Sequence, residues 1–289
     1  MPVRKNGAAH ESSAMQVIAA HVEASPLFNS SLAKGLAVLG AFGPERRTMN
    51  LPEIAAVTGV SKSAAQRLAF TLEQLGYLRK DLASRRYSLT SRIVELGMRY
   101  VQAHTLIDNA NPYLLDLNIK CGETVNLSEP DGDEMVFVAW FPGHKQISVQ
   151  LPVGGRYPMF CTAAGRAYLS GLNKTEADAL VDSSTIVQYT PNTIVDPAIL
   201  KDRIDQARRS GCAYAESEFF RGDINVAAPV FDIHGTAVAA VGISVPVTRW
   251  TSDKVRNQLA PLVLETARAI SSPIVPKHSM AARRTARSG

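Results

Sequence analysis

The apolar positions of this chain repeat in two different ways. In the first stretch, Leu32, Leu36, Leu39 and Phe42 fall on one stripe at helical spacing behind the hydroxyls of Ser30 and Ser31, which predicts a first helix. Gly43 and Pro44 turn the chain. Asn50, Leu51, Pro52 and Glu53 then form a capping box with proline in the first turn, so a second helix starts near Leu51 and stops by Gly59. Ser61 caps a third helix, which carries Lys62, Ser63, Gln66 and Arg67 and ends by Gly76. Ile54, Val60, Ala65 and Leu68 fill the space between helices two and three, and the small Ala55, four residues before Gly59, permits a close crossing. Residues 77–80 and 85–89 read as the two strands of a hairpin with a basic tip. Beyond Thr90, Ile93, Leu96, Tyr100 and Val101 mark a further amphipathic helix reaching about His104.

After that helix the pattern changes. An amphipathic helix over residues 107–120 leads into strands at 123–128, 134–141 and 146–151, with Asp131-Gly132 as a turn. Helices follow after Thr162 and over residues 174–181 and 197–210; strands return at 225–231 and 236–245; a last helix spans 252–271. The regular strand-helix alternation of a doubly wound parallel sheet is missing, as are a GxGxxG or phosphate loop. The expected class is therefore α+β: a winged helix-turn-helix, a linker helix, and an antiparallel sheet flanked by helices. The expected divisions are a flexible extension (1–28), the winged domain (29–91), the linker helix (92–104), a larger second domain (105–275) and a basic disordered tail (276–289).

Length and composition agree with two folded parts, since 289 residues with 46% apolar and 20% charged side chains can supply two cores. Charge changes what the first part can be. The chain as a whole carries +5, yet residues 34–92 hold ten basic side chains against four acidic ones, so the surplus is concentrated there. A surplus confined to one short domain suits a polyanion, because each phosphate contact releases condensed counterions. Charge alone is equally compatible with a solvated basic face, so the architecture decides. On the exposed face of the third helix, Gln66 can pair with adenine and Arg67 with guanine, while Ser61, Lys62 and Ser63 can hold phosphates. A two-stranded ribbon directly after such a helix is the wing of a winged helix, and Arg85 and Arg86 at its tip are placed for the DNA backbone or minor groove. The linker stripe has no domain of its own to cover and predicts packing on a second copy, hence a homodimer that presents two reading helices to half-sites.

Several classes recede. No stretch approaches the roughly 20 apolar residues of a membrane span; residues 235–247 are short and β-branched. The N-terminus lacks a secretory apolar core, and a cytoplasmic location is expected. Cys121, Cys161 and Cys212 are odd in number and far apart, which fits neither a disulfide framework nor a metal motif. No metal or cofactor is expected. The rival from another class is an enzyme acting on a small acid, with Cys161, His144 or His234 doing chemistry. Cys161 precedes a helix start that can lower its pKa, but no histidine lies near it in sequence, and His144 and His234 sit beside turn glycines. A ligand-independent DNA binder is the second rival, and it would not need a second domain of this size.

The blocks Ser31-Leu-Ala-Lys-Gly-Leu-Ala-Val-Leu39, Thr71-Leu-Glu-Gln-Leu-Gly-Tyr-Leu78, Cys161-Thr-Ala-Ala-Gly-Arg-Ala167 and Ala227-Ala-Pro-Val230 resemble, in order and spacing, the isocitrate lyase regulator (IclR) family. The resemblance covers about residues 28–272. It implies a winged-helix head, a linker helix and a GAF-like effector domain, assembled as a dimer or a dimer of dimers on operator DNA. Residues 28–42 are most similar to the branch that controls aromatic-acid catabolism. The family's effector, commonly a small carboxylate, meets the helix start at Thr162, Ala163, Ala164 and Gly165, and helix N-termini do hold anions. Further pocket positions carry over to Asn225, Gly242 and Ser244. Members sensing small keto acids tend to carry a hydroxyl where Gly242 stands and an acid or thiol near Ala215 and Asn225, so a larger ligand is expected here. The loop over 218–222 offers Phe219 and Phe220 as aromatic walls, with core packing as the competing use of the pair.

Overall fold

The computed structural model describes residues 25–143 and 153–271. Expectations for the N-terminal extension up to residue 24, the strand over 146–151, His144 and the basic tail lie outside the described residues. The chain divides into two compact units, meeting in sequence at Ala103 and His104.

The first unit is three helices, a ribbon and a fourth helix. Helix α1 (Ser30–Gly40) starts behind Asn29, whose side chain accepts from the amides of Ser31 and Leu32 at 3.1 and 3.0 Å. Asn29, not a serine, is thus the cap. Its buried face also differs from the expected stripe: Val38, Ala41 and Phe42 are buried, whereas Leu32 and Leu36 are 62% and 58% exposed. The two leucines lie on a side of α1 that the unit itself leaves bare. Helix α2 (Leu51–Thr58) opens with the reciprocal Asn50 and Glu53 capping box and closes at Gly59, whose φ of +68° suits a residue without a Cβ. Helix α3 (Lys62–Gln74) is capped by Ser61 Oγ, which accepts from the Ala64 amide at 3.2 Å. Strands β1 (Leu78–Lys80) and β2 (Tyr87–Leu89) pair antiparallel. Ile54, Ala65, Ala69, Leu72, Leu78 and Tyr87 close the core beneath them. Helix α4 (Arg92–Ala103) follows, and none of its residues is buried; Val94, Leu96, Met98 and Tyr100 stay exposed.

The second unit is built on a six-stranded antiparallel sheet whose strands lie in the order β5 (Arg156–Pro158), β4 (Glu134–Phe141), β3 (Thr124–Asp131), β8 (Ala237–Pro246), β7 (Asp223–Phe231) and β6 (Ala213–Glu216). Helix α5 (Thr105–Cys121) leads into the hairpin of β3 (Thr124–Asp131) and β4 (Glu134–Phe141), turned at Asp131 and Gly132. After β5 (Arg156–Pro158) come α6 (Ala163–Gly171), α7 (Lys174–Ser183) and α8 (Pro197–Ser210). Strands β6 (Ala213–Glu216), β7 (Asp223–Phe231) and β8 (Ala237–Pro246) complete the sheet. Strands β5 and β6, three and four residues long, are too short for the sequence pattern to have shown them. Val226, Ala227, Ala228 and Val230 are all buried, so both faces of the sheet are covered. α6 lies against β7 and β8 with α8 behind it, while α5 and α10 (Ala260–Ser271) pack together and against β3, β7 and β8.

The final helix is not uniform. A short α9 (Ser252–Lys254) passes into a π-helical turn over Val255–Leu259 before α10 begins. Pro261 gives the reason: it has no amide to donate, and its ring collides with the carbonyl four residues back unless the turn widens.

Candidate functional site

In the first unit Ser61, Lys62, Ser63, Gln66 and Arg67 are all exposed at the start of α3, while Ala65 and Ala69 turn the opposite side inward. This follows from the cap: Ser61 fixes where the helix begins, and the 3.6-residue period then puts 62, 63, 66 and 67 on the outer arc. Arg85 is exposed at the ribbon's tip with φ +56°. Arg86 is placed otherwise. Its guanidinium donates to both Glu53 carboxylate oxygens at 3.2 and 2.7 Å and to Thr48 at 2.9 and 2.8 Å. Glu53 is itself held below the usual carboxylate range, first by the Asn50 amide and then by Arg86. Arg86 therefore ties the ribbon to the start of α2, and the expectation that it is offered to phosphate is corrected.

The second unit contains a cavity of about 80 Å³ between the sheet and the start of α6, several times the space one water needs. Its floor is a patch of one sheet face. Ser244 on β8 pairs with Asn225 on β7 and Thr124 on β3, and Gly242 pairs with Ala227 and Asn126 in the same three strands. All six line the cavity. A Cβ on Gly242 would stand 3.0 Å from Asn126 Oδ1, so the asparagine occupies the space that a larger residue at 242 needs. Asn126, buried and facing this cavity, was not singled out from sequence.

The wall above is the N-terminus of α6. Thr162 caps it, accepting from the Gly165 amide at 3.3 Å and donating to the Pro158 carbonyl at 2.8 Å. The amides of Ala163 and Ala164, first in the helix, have no intrahelical acceptor, and both residues line the cavity with Thr162. Gly165 is not on the wall. A Cβ there would lie 2.2 Å from Met159 Cα, so the glycine permits the close approach of α6 to the chain before it, and its expected ligand contact is corrected. Phe137, Trp140, Phe219 and Phe220 add aromatic surface. Phe219 both packs on the core and faces the cavity, edge-on to Tyr189 and Phe220 at 4.8 and 4.5 Å between ring centres.

Charges around the cavity are mostly paired. Arg166 and Glu218 form a bidentate pair at 2.7 and 2.6 Å, almost wholly buried. Arg249 meets Glu123 at 2.6 Å, and Trp250 Nε1 donates to the same carboxylate at 2.9 Å; Arg249 Nε is buried without a partner. Asp223 on β7 is the exception. Asn225 Nδ2 donates to its Oδ2 at 2.7 Å, Oδ1 has no hydrogen-bond partner among the described residues, and burial pushes the carboxyl up to about 6 against the lowering by Asn225 and the backbone amides of Asp223 and Ser217. Two strand residues before Asn225 on the same face, it was legible only by carrying the period-two rule back from 225.

Cys161 also lines the cavity, but burial pushes its thiol well above the usual range and outweighs the lowering by Arg166. A thiol held protonated is a poor nucleophile. His234 sits exposed in the turn after β7, where Asp232 accepts from its amide at 2.8 Å. Among the described residues, no group of His, Cys, Asp or Glu is placed to hold a metal, and no helix is long and apolar enough to cross a membrane.

Residues 31–82 match the family described as IclR helix-turn-helix domain, and residues 98–272 match bacterial transcriptional regulator IclR C-terminal. The chain is 32% identical to the Pca regulon regulatory protein of Pseudomonas putida over 84% of this chain and 83% of that protein. It is 28% identical to the transcriptional repressor IclR of Escherichia coli over 83% and 88%. Among solved structures, a putative transcriptional regulator from Rhodococcus sp. RHA1 superposes with a TM-score of 0.75 at 33% identity, covering 84% of this chain and 97% of that one. An IclR homologue from Microbacterium hydrocarbonoxydans complexed with 4-hydroxybenzoate shares the fold, with a TM-score of 0.70 at 22% identity over 84% and 98%.

Proposed function

The chain belongs to the IclR family of bacterial transcriptional regulators, and from that premise we propose that it is a cytoplasmic DNA-binding regulator controlled by an organic acid bound between the sheet and α6. Ser61, Lys62, Ser63, Gln66 and Arg67 read operator DNA, with Arg85 on the backbone. The acid's carboxylate lies on the free amides of Ala163 and Ala164, where the helix dipole favours an anion. That pair of amides, unpaired at the start of an α-helix beside a partly open, aromatic-lined cavity, is the observation that carries the reading. Phe137, Trp140 and Phe219 suit a ring-bearing acid. The relationship to the Pca regulon regulatory protein supports the aromatic class.

The bare stripe of α4 supports a homodimer or dimer of dimers, which brings two α3 helices to half-sites. On this reading the chain is a regulator, as its relatives are named, and Cys161, whose thiol is pushed up by burial, is not used as a nucleophile. Fluorescence anisotropy with the DNA upstream of its own gene, across a salt series and with a panel of aromatic and keto acids, tests the whole. The expected result is sequence-selective binding shifted by an aromatic acid, together with an equal reciprocal effect of DNA on acid affinity. Failure to bind DNA at any salt concentration would overturn the reading.

A further inference from the structure

The polar contacts across β8 and β7 run in one direction and stop short. Ser244 Oγ donates to Asn225 Oδ1, and the Asn225 amide donates to Asp223 Oδ2. Asp223 is 6% exposed, lines the cavity, and ends the series with Oδ1 unpartnered. Among the described residues no side chain is directed at Oδ1: the Asn225 amide meets Oδ2, the Ser217 amide and hydroxyl are directed at the Asp223 main-chain carbonyl, Arg166 is held by Glu218, and the Arg249 Nη2 is turned to Glu123. A buried acceptor without a donor is costly, and more so when it is charged. With burial holding the group up at about 6, it is still mainly a carboxylate at neutral pH and so still short of a donor.

We propose that Asp223 Oδ1 accepts a hydrogen bond from a hydroxyl on the bound acid, so that the cavity selects hydroxylated aromatic carboxylic acids over the same acids without the hydroxyl. The inference rests on the organic-acid reading above and adds the residue that decides which acid is taken. It also gives a reason for rejection: a keto or ether oxygen at this point brings lone pairs against lone pairs and leaves Oδ1 unpaired. Asn225 and Ser244 hold the carboxylate in place and polarise the series toward it.

Isothermal titration of the full-length protein at pH 7.5 with benzoate and the three monohydroxybenzoates, repeated on Asp223→Asn and Asp223→Ala, tests it. At least one hydroxybenzoate should bind the wild type about ten- to a hundredfold more tightly than benzoate, the range for a hydrogen bond to a charged group. In Asp223→Ala that advantage should vanish, and benzoate itself should bind more tightly because a like charge has gone. Asp223→Asn keeps the shape of the side chain and guards against a folding defect: its melting temperature without ligand should be no lower than that of the wild type. If benzoate binds and no hydroxyl improves it, or if the hydroxyl advantage survives in Asp223→Ala, Asp223 does not select the ligand and the organic-acid site stands without it. If none of the four acids binds, the aromatic-acid reading of the cavity fails and this inference falls with it.

Discussion

Replacing Arg166 by methionine should destabilise the second unit far more than any surface charge change in the chain. Arg166 and Glu218 are 2% and 7% exposed, and the guanidinium gives two short bonds to the carboxylate, a third to the Phe160 carbonyl at 2.8 Å and a fourth to the Tyr214 carbonyl at 3.3 Å. Glu218 also accepts from the Ile194 amide at 3.3 Å. Removing the arginine leaves a buried carboxylate without its cation, and breaking such a pair from one side costs about 3–5 kcal/mol. A domain's whole stability is about 5–15 kcal/mol, so the loss is a large part of it. The exposed pair Arg99 and Glu95, 71% and 59% exposed one helical turn apart, is the internal comparison; Glu95→Ala should cost only about 0.3–0.5 kcal/mol. Both tryptophans, Trp140 and Trp250, lie in the second unit, so urea unfolding followed by their fluorescence reports on that unit. The double change Arg166→Met with Glu218→Leu should cost clearly less than the sum of the two single changes, because no charge is stranded. A loss below about 1 kcal/mol for Arg166→Met, or strict additivity in the double variant, would refute the argument that the pair is desolvated and mutually dependent.

Three further outcomes follow from the geometry. Arg67→Ala should relax base preference in operator titrations, and Arg85→Ala should weaken all sequences alike while reducing the salt slope by about one; Arg86→Ala should instead lower the melting temperature of the head through its lost bonds to Glu53 and Thr48. Gly165→Ala forces a Cβ to 2.2 Å from Met159 Cα and should unseat the start of α6, seen as a large fall in melting temperature and loss of acid binding by titration; a normally folded, ligand-binding variant would contradict the close approach. Asp223 is held near 6 in the folded state against about 3.9 when unfolded, so between those pH values the folded state binds the extra proton and stability falls as pH rises. The unliganded protein should therefore gain on the order of 2–3 kcal/mol from this group on going from pH 7 to pH 4. Asp223→Asn should be the more stable protein at pH 7, with the gap closing in acid; a gap independent of pH, measured by thermal melts, would exclude Asp223 as the group concerned.

Elements announced by a local chemical signal were legible in the sequence. The Asn50 and Glu53 box, Ser61 and Thr162 each mark a helix start because an uncapped amide must find an oxygen within a few residues. What depends on distant packing was not legible. Leu32 and Leu36 share a helical stripe with Leu39, but which side of α1 is covered is decided by α3, whose contact is made elsewhere. Arg86 reads as a free cation until the fold brings Glu53 and Thr48, more than thirty residues away, against it. Gly165 reads as part of a ligand motif, yet Met159 fixes its identity. Asn126 became visible only once β3, β8 and β7 aligned it with Gly242 and Ala227, and Asp223 only through its place two residues before Asn225 on β7, since nothing else in the local sequence distinguishes a cavity-lining polar residue from one turned to solvent.

The contact between Asn126 and Gly242 constrains how this cavity can evolve. A side chain at 242 must push the asparagine amide oxygen back by a few tenths of an ångström, because that oxygen sits 3.0 Å from where the first side-chain carbon would be. A change at 242 made first meets that obstruction, whereas a smaller residue at 126 made first clears the way. The two positions, on neighbouring strands but over a hundred residues apart in the chain, are therefore expected to accept substitutions in a preferred order. Reshaping the cavity floor is therefore expected to begin on β3 more readily than on β8.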